Sequence, residues 1–206
     1  MTARFRHVDA VARDIVVRVL QRPPTLGAGR LVCVDGPAGS GKTTLAAALD
    51  RELRDALRAP GGPADRAHVR TVHMDNVFAG WSGLADGMST IALDVIGPLT
   101  AGQPGRYRRY DWHRQVFVEE RVVEPCEVLV IEGVGSGSTA YDEAITCLVW
   151  IDTPPDVRLM RGLERDGDHM REHWRVWRQQ EEEMFARERT RERADLVVDG
   201  TRGAVT

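Results

Sequence analysis

Eight residues carry the clearest chemistry in this chain. Gly36-Pro37-Ala38-Gly39-Ser40-Gly41-Lys42-Thr43 fits the pattern G-x-x-x-x-G-K-[ST]. Glycines at that spacing let successive backbone N–H groups curl around phosphate oxygens. The helix start that follows adds partial positive charge. Lys42 supplies a compact cation for the β- and γ-phosphates, and the Thr43 hydroxyl suits Mg²⁺, with Thr44 next to it. Lys42 is also the only lysine among 206 residues, in a chain whose other basic side chains are all arginine or histidine. The loop lies between the apolar run Arg30–Val34, read as a buried strand, and the Ala- and Leu-rich segment Thr43–Arg58, read as a helix. That context implies a nucleoside triphosphate, with ATP and Mg²⁺ expected.

Further candidates sit at strand ends. Asp75 closes Val69–Met74, read as a second strand, where a carboxylate can take a proton from an attacking hydroxyl. As Asp75-Asn76 it also suits a turn. Glu132 ends the run Val128–Ile131 and can hold Mg²⁺ or orient an acceptor; an exposed strand-end glutamate is the plainer reading. Arg161 and Arg165 share a helix face ahead of Asp166-Gly167, fitting a lid that neutralises a transferring phosphoryl group. Arg171 and Arg175 are weaker candidates in an arginine-rich stretch whose side chains otherwise pair with glutamates one turn away. Tyr110-Asp111-Trp112-His113-Arg114 mixes aromatic, acidic and basic groups, as a polar pocket with an aromatic wall does, or as a surface hairpin does.

The elements that must position these residues follow from periodicity. Val8, Val11, Ile15, Val19 and Leu20 mark an amphipathic first helix ending near Arg22. Pro60-Gly61-Gly62-Pro63 is a connector. Thr90–Leu99 reads as helical, Tyr107–Trp112 and Val116–Val123 as irregular strands or a hairpin, and Gly133–Gly137 as a loop. Cys147–Ile151 is a buried strand, Asp156–Arg165 a helix, and Arg171–Arg193 one long helix. The apolar stripe of that helix is Trp174, Trp177, Met184 and Phe185, with the charges on its other face. Leu196–Val198 is a last short strand. Strands that are almost continuously apolar, alternating with helices, imply a parallel sheet covered on both sides. The expected architecture is therefore a three-layer α/β P-loop NTPase fold. It has about five parallel strands, one domain over residues 1–206 and a small helical lid at about 161–180.

Composition removes other classes. Net charge is −3, which predicts no nucleic-acid partner, and no apolar run is long enough to span a membrane. Arg4, Arg6, Asp9 and Asp14 make the first segment unlike a signal peptide, so a cytoplasmic location is expected; homo-oligomerisation is left open. Cys33, Cys126 and Cys147 have no metal-ligand or redox spacing. With its one lysine already used, the chain cannot hold the guanine-reading N-K-x-D segment of regulatory GTPases. Leu99-Thr100-Ala101-Gly102-Gln103 imitates a transporter ATPase signature, but the strand that should then end Asp-Glu ends Ile131-Glu132-Gly133.

Taken in order, these segments resemble the uridine kinase family of P-loop kinases, with its phosphoribulokinase-like and bacterial pantothenate kinase-like members. The phosphate loop, His73-Met74-Asp75-Asn76-Val77-Phe78, Tyr110-Asp111-Trp112, Val130-Ile131-Glu132-Gly133, Arg161 through Asp166, and Ala194-Asp195-Leu196-Val197-Val198 carry the likeness between Leu31 and Gly200. The resemblance implies Asp75 as the base and a small-molecule acceptor contacted by Asp75, Tyr110, Asp111 and Glu132, with a nucleoside such as uridine or cytidine as one candidate. The chain departs from the family at His113, which follows the aromatic residue directly. It departs again at Asp166-Gly167-Asp168, where the family has Arg-Gly-Arg. A sugar, a vitamin precursor or an antibiotic stays open as acceptor, as does a nucleotide-binding regulatory ATPase with no acceptor.

Overall fold

The computed structural model describes residues 3–58 and 68–201. The connector expected at residues 60–63 lies outside them. In chain order the strands are β1 (Arg30–Asp35), β2 (Val69–His73), β3 (Gly105–Asp111), β4 (Val116–Val123), β5 (Val128–Glu132), β6 (Cys147–Asp152) and β7 (Leu196–Asp199). The helices are α1 (Ala3–Gln21), α2 (Lys42–Leu57), α3 (Leu84–Thr90), α4 (Gly97–Thr100), α5 (Pro155–Asp166), α6 (Arg171–Glu188) and α7 (Thr190–Arg193).

Five strands form one parallel sheet in the order β2-β5-β1-β6-β7. Successive side chains on a strand point to opposite faces, and both faces here are apolar. Val32 and Val34 of β1 join Val128 and Val130 of β5 in one core, under Ile15 and Val19 of α1 and Leu45, Leu49 and Leu53 of α2. Leu31, Cys33, Leu129 and Ile131 face the other way, into a second core with Phe78, Ile91, Tyr107, Trp177 and Met184. Each such fully buried side chain contributes roughly 1.5–3 kcal/mol. The result is the expected three-layer α/β arrangement. Strands β3 and β4 stand apart as an antiparallel hairpin, with a bulge between Arg109 and Tyr110. No helix among the described residues is long and apolar enough to cross a membrane.

Register decides where the chemistry falls. Val34 of β1 and His73 of β2 both stand level with Glu132 of β5. The carboxyl ends of three adjacent strands therefore deliver the phosphate loop, Glu132 and the turn holding Asp75 to one edge of the sheet.

One expectation is extended and two need correction. The helix expected over Thr90–Leu99 starts earlier, at Leu84, and runs through a π turn, Ile91–Ile96, in which the Gly97 N–H bonds the Ala92 carbonyl. Pro98 offers no N–H to continue a regular ladder there. The long helix expected over Arg171–Arg193 breaks at Arg189, whose φ is 51°. Arg193 donates to the carbonyls of Gly137 and Glu188, and Thr139 donates to the Glu188 carboxylate. These contacts turn the chain so that β7 can join β6. Finally, Glu181 does not belong to the charged outer face of α6. It is 1% exposed, four residues after Trp177 and three before Met184, within the apolar stripe.

Candidate functional site

The phosphate loop is shaped by backbone. Gly36 has φ 143° and Gly39 φ 77°, and a Cβ on either would lie 2.6 Å from a carbonyl oxygen, of Ile151 and Arg158 respectively. Lys42 opens α2 and is mostly buried; its Nζ donates to the carbonyls of Gly36 (2.8 Å) and Pro37 (2.9 Å). Beneath the loop, the wholly buried Asp35 accepts N–H bonds from Gly36, Gly135 and Gly137 at 2.7, 3.0 and 2.8 Å. Burial raises its pKa to about 6 against the pull of those amides and of Lys42. Asp35 thus staples the phosphate loop to the loop after β5. Its signal in the sequence was a carboxylate closing an apolar strand just before the first glycine, and sequence reasoning missed it.

Two carboxylates follow. Glu132 is 5% exposed. Its carboxylate accepts the Thr43 hydroxyl at 3.2 and 3.3 Å and lies 2.6 Å from Nδ1 of His73. That hydrogen bond raises the His73 pKa. Asp75 lies in the 3-10 turn Met74–Asn76, its side chain open to a cleft that protein walls crowd closely. Poor solvation raises its pKa first and the Glu132 charge second, while Lys42, Arg165 and His73 oppose the rise. Trp112 Nε1 donates to the Asp75 carbonyl at 2.8 Å, tying the hairpin to this turn.

The cleft is a cavity of about 1160 Å³. Ala38, Gly39, Gly41, Lys42, Thr43 and Thr44 line it together with Asp75, Tyr110, Glu132, Arg161 and Arg165. Gly36, Pro37 and Ser40 shape the loop without lining the cavity. Arg161 donates to the carbonyls of Gly39 and Gly200 (3.3 and 3.1 Å). Arg165 is held by Asp166 at 2.7 Å and lies 5.9 Å above the Trp174 ring. Asp111 stands apart: its carboxylate accepts the N–H groups of His113 and Arg114 in the hairpin turn, both at 3.0 Å, and these bonds lower its pKa. Arg171 and Arg175 are also apart, exposed and paired with Asp168 and Glu172.

No family model matches the chain, and no curated protein matches it in sequence. Solved structures do. A protein described as a possible uridine kinase from Bacillus stearothermophilus matches over 92% of this chain and 98% of its own, with 20% identity and a TM-score of 0.62. A protein described as a candidate fructose transport system kinase, from Silicibacter sp. TM1040, matches over 96% and 98%, with 21% identity and a TM-score of 0.58. The chain has the three-layer phosphate-loop fold.

Within this phosphate-loop fold, other functional candidates escaped sequence reasoning. Trp81 meets Trp112, Trp174 and Trp177 at 5.6, 6.3 and 6.1 Å between ring centroids, and stacks with His173 at 5.5 Å. All five rings line the cavity. Trp174 and Trp177 read as an ordinary core stripe, and nothing near Trp81 in sequence marked it. Arg158, one turn before Arg161, is buried and paired with Glu181 at 2.8 Å.

Proposed function

We propose that this chain is an ATP-dependent kinase that transfers the γ-phosphoryl group to a hydroxyl of a small metabolite. The observation that carries this reading is the shared cavity, in which Asp75 faces the space lined by Lys42, Thr43 and Glu132. Its volume of about 1160 Å³ suits two ligands side by side. The loop amides and Lys42 hold the phosphates. Thr43 hydroxyl and Glu132 carboxylate are hard oxygen donors in direct contact, a pair that fits Mg²⁺. When bound, that ion supplies charge neutralisation on the phosphates.

The acceptor oxygen bonds to the γ-phosphorus as the bond to the β–γ bridging oxygen breaks. ADP leaves, and the hydroxyl proton passes to the Asp75 carboxylate. A raised pKa favours Asp75 as a base near neutral pH. Arg161 and Arg165 offset charge on the transferring group, as part of a lid at residues 161–180 in a single kinase domain.

The group of rings around Trp81 supports a flat-ringed acceptor such as a nucleoside, in line with the likeness to the possible uridine kinase. The likeness to the candidate fructose transport system kinase supports a sugar. ADP release, measured alone and with nucleosides, sugars, vitamin precursors and hydroxylated antibiotics, tests the proposal. Stimulation by one hydroxyl compound is expected. A basal rate that stays flat across the panel defeats the kinase reading in favour of a regulatory ATPase.

A further inference from the structure

Glu181 is 1% exposed and Arg158 7%, and neither projects into the reaction space as the proposed chemistry requires of its actors. Through Glu181 the pair grips one peptide group of the phosphate loop. Glu181 Oε2 accepts the Ala38 N–H at 2.8 Å, and Oε1 accepts Arg158 at 2.8 Å. Arg158 Nε donates in turn to the Thr153 carbonyl at 3.1 Å. The Ala38 N–H belongs to the same planar unit as the Pro37 carbonyl. That carbonyl receives Lys42 Nζ at 2.9 Å. A planar peptide cannot turn its carbonyl without turning its N–H. Whatever grips the N–H side therefore sets the direction of one of the two carbonyl oxygens on which the ammonium rests, the other being that of Gly36. Pro37 has no N–H of its own, so the loop cannot be gripped there one residue earlier.

We propose that Glu181 is a positioning residue for nucleotide binding, acting on Lys42 across the Pro37–Ala38 peptide plane, with Arg158 serving to keep the buried carboxylate charged. This rests on the reading of residues 36–43 as a nucleotide site, though not on the identity of any acceptor. A buried ion pair can be replaced by neutral groups without loss of the fold, whereas removing one partner strands the other. The pair is therefore tested by double variants. Arg158→Met with Glu181→Gln keeps an oxygen for the Ala38 N–H; Arg158→Met with Glu181→Leu removes it.

Calorimetric titration with Mg·ADP is the measurement, with thermal unfolding recorded for each protein. The Gln variant is expected to bind within about threefold of wild type, and the Leu variant about tenfold more weakly, the scale of one lost hydrogen bond to a charged group. In a Lys42→Ala background the difference between the two is expected to vanish, because both act through the same side chain. A merely structural role would leave that difference intact. Equal affinities for the Leu variant and wild type, equal losses in the Gln and Leu variants, or full additivity with Lys42→Ala each overturn the proposal. Should a double variant not fold, Glu181→Gln alone carries the test: near-wild-type affinity at a lower unfolding temperature supports it, and a tenfold loss overturns it. Absence of Mg·ADP binding by wild type overturns the nucleotide reading itself, a result the variants cannot produce.

Discussion

The phosphate loop and the aromatic wall border the same cavity but are made in opposite ways. The loop is eight consecutive residues whose backbone does the work, held by positive φ at Gly36 and Gly39 and by contacts from Asp35 and Glu181. The wall is made of side chains drawn from distant stretches: Trp81, Trp112 and the Trp174–Trp177 turn of α6. The cradle resists substitution at Gly36 and Gly39, where an added Cβ meets a carbonyl, and at Gly41 through its φ of 104° alone. A wall of side chains can be rebuilt one ring at a time. On the proposed reading, rigidity at the donor side and variability at the acceptor side follow from that difference in construction.

The sharpest way to break the comparison is Asp75→Asn, which leaves the cradle untouched. Turnover is expected to fall by roughly 10²–10⁴-fold, the usual worth of a general base, while Mg·ADP affinity measured by calorimetry stays within about twofold. Normal turnover in that variant would sink the assignment of the base. With Asp75 as the proposed base, its raised pKa is expected to put the acid limb of the kcat/KM–pH profile above the ordinary carboxylate range, since the base works deprotonated.

The staple beneath the cradle is expected to leave a pH signature. Asp35 has a folded pKa of about 6 against an ordinary 3.8, so the folded state binds its proton more tightly. The stabilisation from that proton is complete below about pH 4 and is lost as pH rises through about 6, a change of about 3 kcal/mol. Unfolding of wild type and Asp35→Asn by urea from pH 4 to pH 7 checks this. The difference between the two proteins should move by about that amount, and a constant difference removes the claim.

Gly39→Ala attacks the cradle alone. The new methyl meets the Arg158 carbonyl at a φ that L-residues resist, and Mg·ADP affinity is expected to drop about tenfold, near the lower end of what strained left-handed backbone costs. Trp112→Phe probes the wall with the least disturbance. It removes the 2.8 Å bond to the Asp75 carbonyl, and kcat with whichever acceptor the ADP-release screen identifies should fall about fivefold, the worth of one hydrogen bond, at constant Mg·ADP affinity.

The same contrast explains what was legible before the structure. Residues 36–43 could be read because local backbone chemistry needs a local pattern, and β5 because a run of β-branched residues has few other uses. Glu132 and Asp75 were singled out because strand ends are where such folds place ligands. The aromatic wall was hidden, since a tryptophan that lines a cavity has the same helical spacing as one that fills a core. Glu181 was hidden because its neighbours Glu182 and Glu183 are exposed and nothing local separates the three. The break at Arg189 depends on partners at residues 137 and 139, some fifty positions away.

Strands β2 and β5 are hydrogen-bonded neighbours, yet residues 74–127 lie between them in the chain. That stretch contains the Asp75 turn, Trp81, the π turn and the hairpin. Because the two strands are parallel, the stretch leaves β2 at the edge of the sheet that carries the phosphate loop and enters β5 at the opposite edge. The stretch is therefore a crossover that has to travel the length of the sheet, and along the way it brings the Asp75 turn, Trp81 and Trp112 to the cavity. On the proposed kinase reading, substitutions confined to this crossover alter the wall of the cavity while residues 36–43, which lie outside it, keep their sequence.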